Sequence, residues 1–170
     1  SDVCSSDLVE FSTSATSRKR RENEIHGKDY YFFSPQEFKQ HIDNDDFLEW
    51  EEVYQNQFYG TLRSEIERIW NKKRHVIFDV DVKGGLNLKN KFGNKTALSI
   101  FIKPPSIAEL KKRLENRATE TPESIKKRLQ RAEFEMSFAD EFDIVIVNDR
   151  LDRAVEKTMQ KITDFVECND

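Results

Sequence analysis

The sequence VIFDVDVKGG, residues 76–85, decides the fold because it joins a continuous apolar run to two aspartates and a pair of glycines. Continuous apolar runs are typical of parallel strands that are covered on both faces. Three other runs share this character: residues 9–14, 98–102 and 144–147. Four helical patterns accompany them: residues 62–73, 85–92, 107–117 and 151–166. The alternation of the two patterns predicts a doubly wound α/β core.

The two aspartates of this stretch point to a ligand site. Asp79 and Asp81 are two residues apart, so a strand at residues 76–82 would place both carboxylates on one face, at its carboxyl end. Open α/β sheets bind ligands at that end. An apolar strand that delivers an aspartate is also the arrangement that positions Mg²⁺ in phosphoryl transfer. Asp81 has a second interpretation, as the cap of a helix that starts near Gly84.

Two segments interrupt the alternation of strands and helices. The first is predicted to be a compact α+β insertion, in which Ser34 and Glu37 have the spacing of a capping box. It consists of one helix and three short strands: residues 35–42, and residues 30–33, 47–53 and 57–59. The second segment, residues 118–140, is predicted to project from the core as a helical lid that would close over a ligand and exclude water.

The polar run FSTSATSRKRRENEIHGKDY, residues 11–30, predicts an anion-binding site. Guanidinium groups bind phosphate oxygens in bidentate fashion, and hydroxyl groups complete the shell around a dianion. The candidate residues are polar side chains of this run: Ser14, Arg18, Arg21, Glu24 and Tyr30. Two alternatives stay open, namely a solvated basic turn for the whole run and a core aromatic for Tyr30.

Composition limits the classes of function. The net charge is −4, which argues against general nucleic-acid binding because proteins that bind the phosphate backbone are usually basic. We also expect no membrane partner, since no apolar run reaches membrane-spanning length and no signal-peptide pattern is present in the sequence. Cys4 and Cys168 indicate neither a disulfide framework nor a metal site.

The two ends of the chain differ from its middle. The first segment, SDVCSSDL at residues 1–8, fits nothing that follows, and we expect it to be a non-native cloning or assembly scar. Residues 167–170 are expected to be a tail. This leaves residues 9–166 as the folded domain.

Further motifs complete the pattern: FLEWEEV (47–53), NQFYGT (56–61), IFIKPPS (100–106), RLENRATETPESIKKRL (113–129) and VIVND (145–149). Over residues 9–166 the chain therefore resembles guanylate kinase. The resemblance implies a P-loop kinase-like parallel sheet with a GMP-binding insertion at residues 15–61 and a lid at residues 118–140. It also implies transfer of a phosphoryl group from ATP to GMP, giving ADP and GDP, with Mg²⁺. A cytoplasmic monomer or homodimer is expected.

The resemblance assigns an acceptor site to residues of the insertion. The phosphate of GMP would be held by hydroxyl and guanidinium groups: Ser14, Arg18, Arg21, Tyr30 and Tyr59. Glu24 would orient the arginines, although a purely structural role is open. Glu49 would accept from N1–H and the exocyclic amine of guanine, a donor pair that adenine lacks, with Thr61 against the base. The alternative for Glu49 is an edge-strand charge. Asp79 and Asp81 would lie beside the acceptor.

The resemblance also assigns the catalytic and donor side. The catalytic residues would be Arg117, Arg128 and Asp79, because phosphoryl transfer depends mostly on positioning and positive charge. Arg117 and Asn148 would contact ATP, although Asn148 could equally be a polar strand end. Arg113 and Arg131 are expected to form helix-surface pairs. No direct metal ligand is expected, but Asp79 could reach Mg²⁺ through water.

One part of the pattern is missing from the sequence. The 170 residues contain no G-x-x-G-x-G-K-[ST] loop, the loop whose backbone N–H groups hold the phosphates of ATP. We therefore expect a chain that is truncated before its second core strand, binds GMP weakly and does not turn over.

Two other functions fit parts of the pattern. A non-catalytic guanylate-kinase-like module that binds phosphopeptides would also lack the loop, but such modules usually lose the lid arginines and the guanine contacts, which this chain keeps. A kinase for another small phosphorylated acceptor is disfavoured by Glu49 and Thr61.

Overall fold

The computed structural model describes residues 8–116 and 121–169, which fall into two compact units, Ser1–Lys91 and Phe92–Asp170. Some expectations lie outside the described residues: the scar at residues 1–8 except for Leu8, Arg117, and the first residues of the lid, 118–120. No helix in the described ranges is long and apolar enough to cross a membrane.

Within residues 8–91, the first unit contains two sheets and three helices, the third of which extends one residue past the boundary of the unit. Its strands are β1 (Val9–Phe11), β2 (Ala15–Thr16), β3 (Tyr31–Phe32), β4 (Phe47–Tyr54), β5 (Gln57–Leu62) and β6 (His75–Ile77). Its helices are α1 (Pro35–Asp43), α2 (Arg63–Trp70) and α3 (Val82–Phe92). Strands β1 and β6 form a parallel pair. The other four strands form a mixed sheet in the order β3-β2-β5-β4.

The mixed sheet carries the hydrophobic core of the insertion. Ser34 caps α1 by accepting from the Glu37 N–H at 3.2 Å, and the Glu37 carboxylate accepts from the Ser34 N–H at 2.6 Å. The predicted capping box is therefore confirmed. Phe38, fully buried on α1, stacks on Phe47 with ring centres 4.4 Å apart. The core cluster is completed by Ala15, Phe58 and Leu62.

A β-bulge in β4 separates the core face from the opposite face. Phe47 pairs with Leu62, whereas Glu49 pairs with Thr61, so Leu48 is the extra residue between two consecutive pairs. Without the shift, Phe47 and Glu49 would point to the same side of the sheet. With it, Phe47 packs in the core and the Glu49 carboxylate contacts Thr61 on the other face.

Within residues 92–116 and 121–169, the second unit contains one parallel strand pair and three α-helices. Strands β7 (Ile100–Lys103) and β8 (Ile144–Val147) pair from Ile100 with Ile144 to Lys103 with Val147. The helices are α4 (Ile107–Glu115), α5 (Pro122–Met136) and α6 (Leu151–Asn169), with a 3₁₀ turn at Ala139–Glu141. The side chains of Ser106 and Thr121 cap α4 and α5 by accepting from Glu109 and Ser124 N–H groups.

Several predicted element boundaries differ from those of the structure. Helix α6 continues to Asn169, past the predicted 151–166 and into the predicted tail. The strand predicted at residues 76–82 ends at Ile77, where its pairing with β1 ends, and α3 begins at Val82 with Asp81 as its cap. The strand predicted at residues 9–14 ends at Phe11, and Ala15–Thr16 forms a separate strand in the other sheet. Helix α3 starts three residues before the predicted 85–92. Asp79 and Asp81 therefore follow a strand rather than alternate along one.

Candidate functional site

Arg18 lies at the centre of a polar cluster in the first unit. Its Nη1 and Nη2 atoms donate to the two carboxylate oxygens of Glu24 at 2.8 and 2.5 Å, which is a bidentate pair. Its guanidinium carbon is 5.0 Å from the centre of the Tyr30 ring, a cation–π distance. The Glu24 hydrogen bonds raise the pKa of Arg18 and, with the Arg21 backbone, lower that of Glu24 to about 2. Both groups are charged at neutral pH.

Glu24 holds both arginines of the predicted anion site. Besides pairing with Arg18, its Oε2 atom accepts from the backbone N–H of Arg21 at 2.8 Å. The Arg21 side chain is exposed. Of the two arginines predicted for the anion site, Arg18 is thus partly buried and Arg21 is exposed.

Tyr30 and Tyr59 extend the cluster toward Asp79. Their rings meet edge to face with centres 6.3 Å apart. Burial raises the pKa of Tyr30, and the nearby charge of Asp79 adds to that rise. The hydroxyl of Ser14 lies 3.5 Å from the carbonyl oxygen of Asp79. The structure therefore places Ser14, Arg18, Tyr30, Tyr59 and Asp79 in one cluster, with Tyr30 only partly buried and not a core aromatic.

Glu49 and Thr61 form a second polar group on the same sheet. They are directly opposite in the β4–β5 ladder, and the fully buried Thr61 hydroxyl donates to Glu49 Oε1 at 2.7 Å. Burial raises the pKa of Glu49 to about 7; the Thr61 hydrogen bond opposes the rise, and the charges of Asp81 and Glu51 add to it. A partly buried carboxylate suits a ligand that brings N–H donors.

Gly84 allows α3 to approach this carboxylate. A Cβ atom at residue 84 would lie 2.7 Å from Glu49 Oε2 and 3.1 Å from Asp81 Oδ1. The same Asp81 oxygen accepts from the Gly84 N–H at 2.9 Å, which is the capping role that the sequence left open. The first turn of α3 therefore closes one side of the space around Glu49.

The two polar groups lie along one face of β5. Phe58 and Leu62 belong to the core cluster, so Tyr59 and Thr61 project from the opposite face by strand alternation. Tyr59 contacts Tyr30 and Thr61 contacts Glu49. Residues i and i+2 of a strand are about 7 Å apart. The arginine cluster and the Glu49 group thus sit side by side, at a spacing that suits the phosphate and the base of one mononucleotide.

The acidic residues here fit a magnesium ion held mainly by a nucleotide. No group of three or more metal-binding side chains occurs in the described part of the chain. Asp79 is exposed at the edge of the cluster, whereas one Asp81 oxygen is engaged by α3. Mg²⁺ usually keeps several waters and takes one or two carboxylates together with substrate phosphates. Asp79 alone suits that role.

The second unit carries the predicted donor-side residues. Asn148 directly follows β8 and is partly buried; its carbonyl accepts from Arg113 Nη1 at 3.0 Å. Arg113 and Arg131 form the predicted helix pairs, with Glu109 at 3.2 Å and Glu135 at 2.7 Å. Arg128 lies on α5 and is partly buried. Arg117 is outside the described residues.

Sequence reasoning missed two residues of the first unit, Gly84 and Glu65. Nothing in the sequence distinguishes Gly84 from any other glycine near the start of a helix. Glu65 does give one: Leu62, Glu65, Ile66 and Ile69 have the i, i+3, i+4, i+7 spacing of an apolar helix face, and a glutamate on such a face is unusual.

Comparison with known proteins gives consistent matches. A model of the guanylate kinase family matches residues 4–165. A guanylate kinase of Bacteroides fragilis is 51% identical over 156 residues, which are 92% of this chain and 76% of that protein. One of Salinibacter ruber is 52% identical over 158 residues, 93% of this chain and 83% of that protein.

A solved structure matches as well. The crystal structure of guanylate kinase from Anaplasma phagocytophilum superposes with a TM-score of 0.74 at 31% identity, covering 95% of this chain and 76% of that one. This match confirms the predicted α/β fold of the P-loop kinase class, with its strands in parallel and mixed sheets and its helices between them.

Proposed function

The chain belongs to the guanylate kinase family, kinases that transfer a phosphoryl group from ATP to GMP, and we propose that its first unit is the GMP site of that enzyme. One observation carries the proposal. Tyr59 and Thr61, on the same face of β5, join the arginine cluster to the Glu49 carboxylate. The site thus offers positive charge and hydroxyls beside a purine-edge acceptor, which is the complement of GMP.

In this proposal, the phosphate of GMP binds at the arginine cluster. Arg18 and Arg21 supply guanidinium donors, and the donor hydroxyls come from Ser14, Tyr30 and Tyr59. Glu24 holds the Arg18 guanidinium plane and the Arg21 backbone before the ligand arrives. Such preorganisation reduces the entropy lost on binding.

Guanine recognition is assigned to Glu49, with Thr61 and Asp81 beside it. The ionised carboxylate accepts from N1–H and the exocyclic amine of guanine. Adenine has no N1–H, so it would leave the buried carboxylate without its partner; sites of this kind discriminate by about 10⁴-fold. The Thr61 hydroxyl orients Glu49 through the 2.7 Å hydrogen bond.

The proposal also assigns residues to ATP, the phosphoryl donor, and to Mg²⁺. Mg²⁺ would neutralise charge on the phosphates of ATP, and Asp79 would hold that ion through water. Arg117 and Arg128 would stabilise the transferred group, and Asn148 would contact the base of ATP. A cytoplasmic enzyme, as a monomer or homodimer without nucleic-acid partners, is part of the same proposal.

Calorimetry with GMP and AMP tests the acceptor site. We expect the 170-residue chain to bind GMP at least about 100-fold more tightly than AMP. Equal affinity for the two nucleotides would contradict the assignment of Glu49. Tight binding of a phosphopeptide with no measurable GMP binding would instead support the non-catalytic module.

Turnover of the same chain is a separate test. The sequence contains no G-x-x-G-x-G-K-[ST] loop, and the proposal therefore assigns GMP binding without turnover to these 170 residues. A coupled assay that detects normal ADP release from the purified chain would contradict this part of the proposal and leave the GMP site untouched.

A further inference from the structure

Glu65 is a buried carboxylate that contacts the chain next to two residues of the proposed phosphate site. Its residue is only 3% exposed, on α2, a helix that carries none of the residues assigned to GMP. Charged residues are almost never fully buried unless they are paired. Glu65 is paired with Arg68, whose Nε and Nη2 atoms donate to its two oxygens at 3.0 and 2.9 Å.

Two further donors complete the shell of Glu65, and both come from other elements. The backbone N–H of Thr13 donates to Oε2 at 2.9 Å, and the Tyr31 hydroxyl donates to Oε1 at 2.8 Å. Burial alone would raise the pKa of Glu65, but the hydrogen bonds from Arg68, Thr13 and Tyr31 outweigh it and hold the pKa below its ordinary value. The ionised Glu65 carboxylate therefore connects three segments of the chain, namely α2 and the segments that contain Thr13 and Tyr31.

Both donors are sequence neighbours of residues proposed to bind the phosphate. Thr13 immediately precedes Ser14, and Tyr31 immediately follows Tyr30. The two segments also bond directly, because the Tyr31 N–H donates to the Ser14 carbonyl at 2.9 Å. Fixing Thr13 and Tyr31 therefore fixes the backbone from which two phosphate-site hydroxyls project.

We propose that Glu65 is a positioning residue for the phosphate-binding hydroxyls of Ser14 and Tyr30, acting through Thr13 and Tyr31. The inference rests on the proposed GMP site. Hydroxyl donors contribute to binding only when they are held at hydrogen-bond distance from the phosphate oxygens, and a displacement of about 1 Å can remove most of their effect. Glu65 would thus affect the phosphate end of the ligand and not the base.

The test compares GMP with guanosine, which lacks the phosphate. The measured quantity is the ratio of the guanosine and GMP dissociation constants, from calorimetry for GMP and ligand-observed NMR for guanosine. Glu65→Gln is expected to lower this ratio about tenfold, with guanosine affinity nearly unchanged. Tyr31→Phe removes one hydrogen bond and is expected to lower it about fivefold.

A matched control is available on the same helix. Glu67→Gln removes the same charge from an exposed position of α2 and is expected to leave the ratio unchanged. Thermal denaturation of each variant shows that the titrations are made well below unfolding. A merely structural role would lower the melting temperature and leave the ratio alone.

The outcomes separate the inference from the proposed function. If the unsubstituted chain prefers GMP over guanosine and Tyr31→Phe and Glu65→Gln keep the whole preference, the positioning role is wrong while the GMP site stands. If the unsubstituted chain shows no such preference, the phosphate site itself is wrong and the inference falls with it. If Glu65→Gln does not fold, Tyr31→Phe alone decides.

Discussion

Glu49 illustrates at the scale of a single residue how the fold prepares a side chain for its ligand. Burial raises its pKa to about 7, and the Thr61 hydroxyl supplies one hydrogen bond in the free protein. The sign follows from the raised value: the carboxyl group favours folding when it is protonated, and this contribution is lost as the pH rises through about 7. A ligand with two N–H donors stabilises the ionised form instead. Binding and ionisation of Glu49 are therefore coupled.

This coupling predicts a pH dependence for the binding of guanosine. Because the ionised form binds and the pKa in the free protein is about 7, the affinity should rise about tenfold from pH 6 to pH 8. Guanosine is the probe because the phosphate of GMP also titrates, near pH 6. The titrations use ligand-observed NMR. Glu49→Gln is the control and should give a flat profile; a flat profile for the unsubstituted chain would contradict the coupling.

At the scale of elements, the site depends on how β4, β5 and α3 meet. The bulge at Leu48 sends Phe47 to the core and Glu49 to the opposite face. Asp81 then caps α3 so that its first turn lies against the Glu49 carboxylate, and the missing side chain of Gly84 leaves room for that carboxylate. The bulge at Leu48, the cap at Asp81 and the glycine at residue 84 thus shape the space around Glu49 that is assigned to guanine.

Gly84→Ala tests this approach because it separates stability from binding. The new Cβ would meet Glu49 Oε2 at 2.7 Å, which is the end of a flexible side chain that can move away. Alanine is favoured over glycine in a helix by about 1 kcal/mol, so we expect unchanged or higher stability in chemical denaturation. GMP affinity should nevertheless fall about tenfold, because Glu49 is displaced from the purine edge.

The control for this variant lies further along the same helix. Asn90→Ala, at an exposed position of α3, also improves helix propensity and should leave GMP binding unchanged. If Gly84→Ala binds GMP as well as the unsubstituted chain does, α3 does not limit the position of Glu49.

At the scale of the whole molecule, sequence patterns predicted the elements better than their ends. The strand at Ile144–Val147 has the predicted bounds because an uninterrupted β-branched run leaves no competing structure. The strand that begins at His75 stops at Ile77 although apolar residues continue to Val82, because its pairing with β1 ends at Phe11. The point at which a partner strand ends is set by tertiary structure, which alternation along one strand does not contain.

The candidate site could be predicted from the sequence in part, for a similar reason. The residue types of the arginine cluster and the choice of Glu49 and Thr61 follow from motifs, whereas the pairing of Glu49 with Thr61 depends on the bulge in β4. The hydrogen bonds of the buried Glu65 carboxylate come from Thr13 and Tyr31, which are 52 and 34 residues away along the chain. Contacts over such separations become visible only in the fold.

We propose that one face of the mixed sheet holds both the phosphate and the guanine of GMP. The most direct measurement is calorimetry of Arg18→Ala and Glu49→Gln with GMP and AMP, and ligand-observed NMR with guanosine. We predict that Arg18→Ala reduces GMP affinity about 10- to 100-fold and spares guanosine. Glu49→Gln should remove most of the preference for GMP over AMP and keep the preference for GMP over guanosine. If either variant binds all three ligands as the unsubstituted chain does, the two groups do not share a site and the account is wrong.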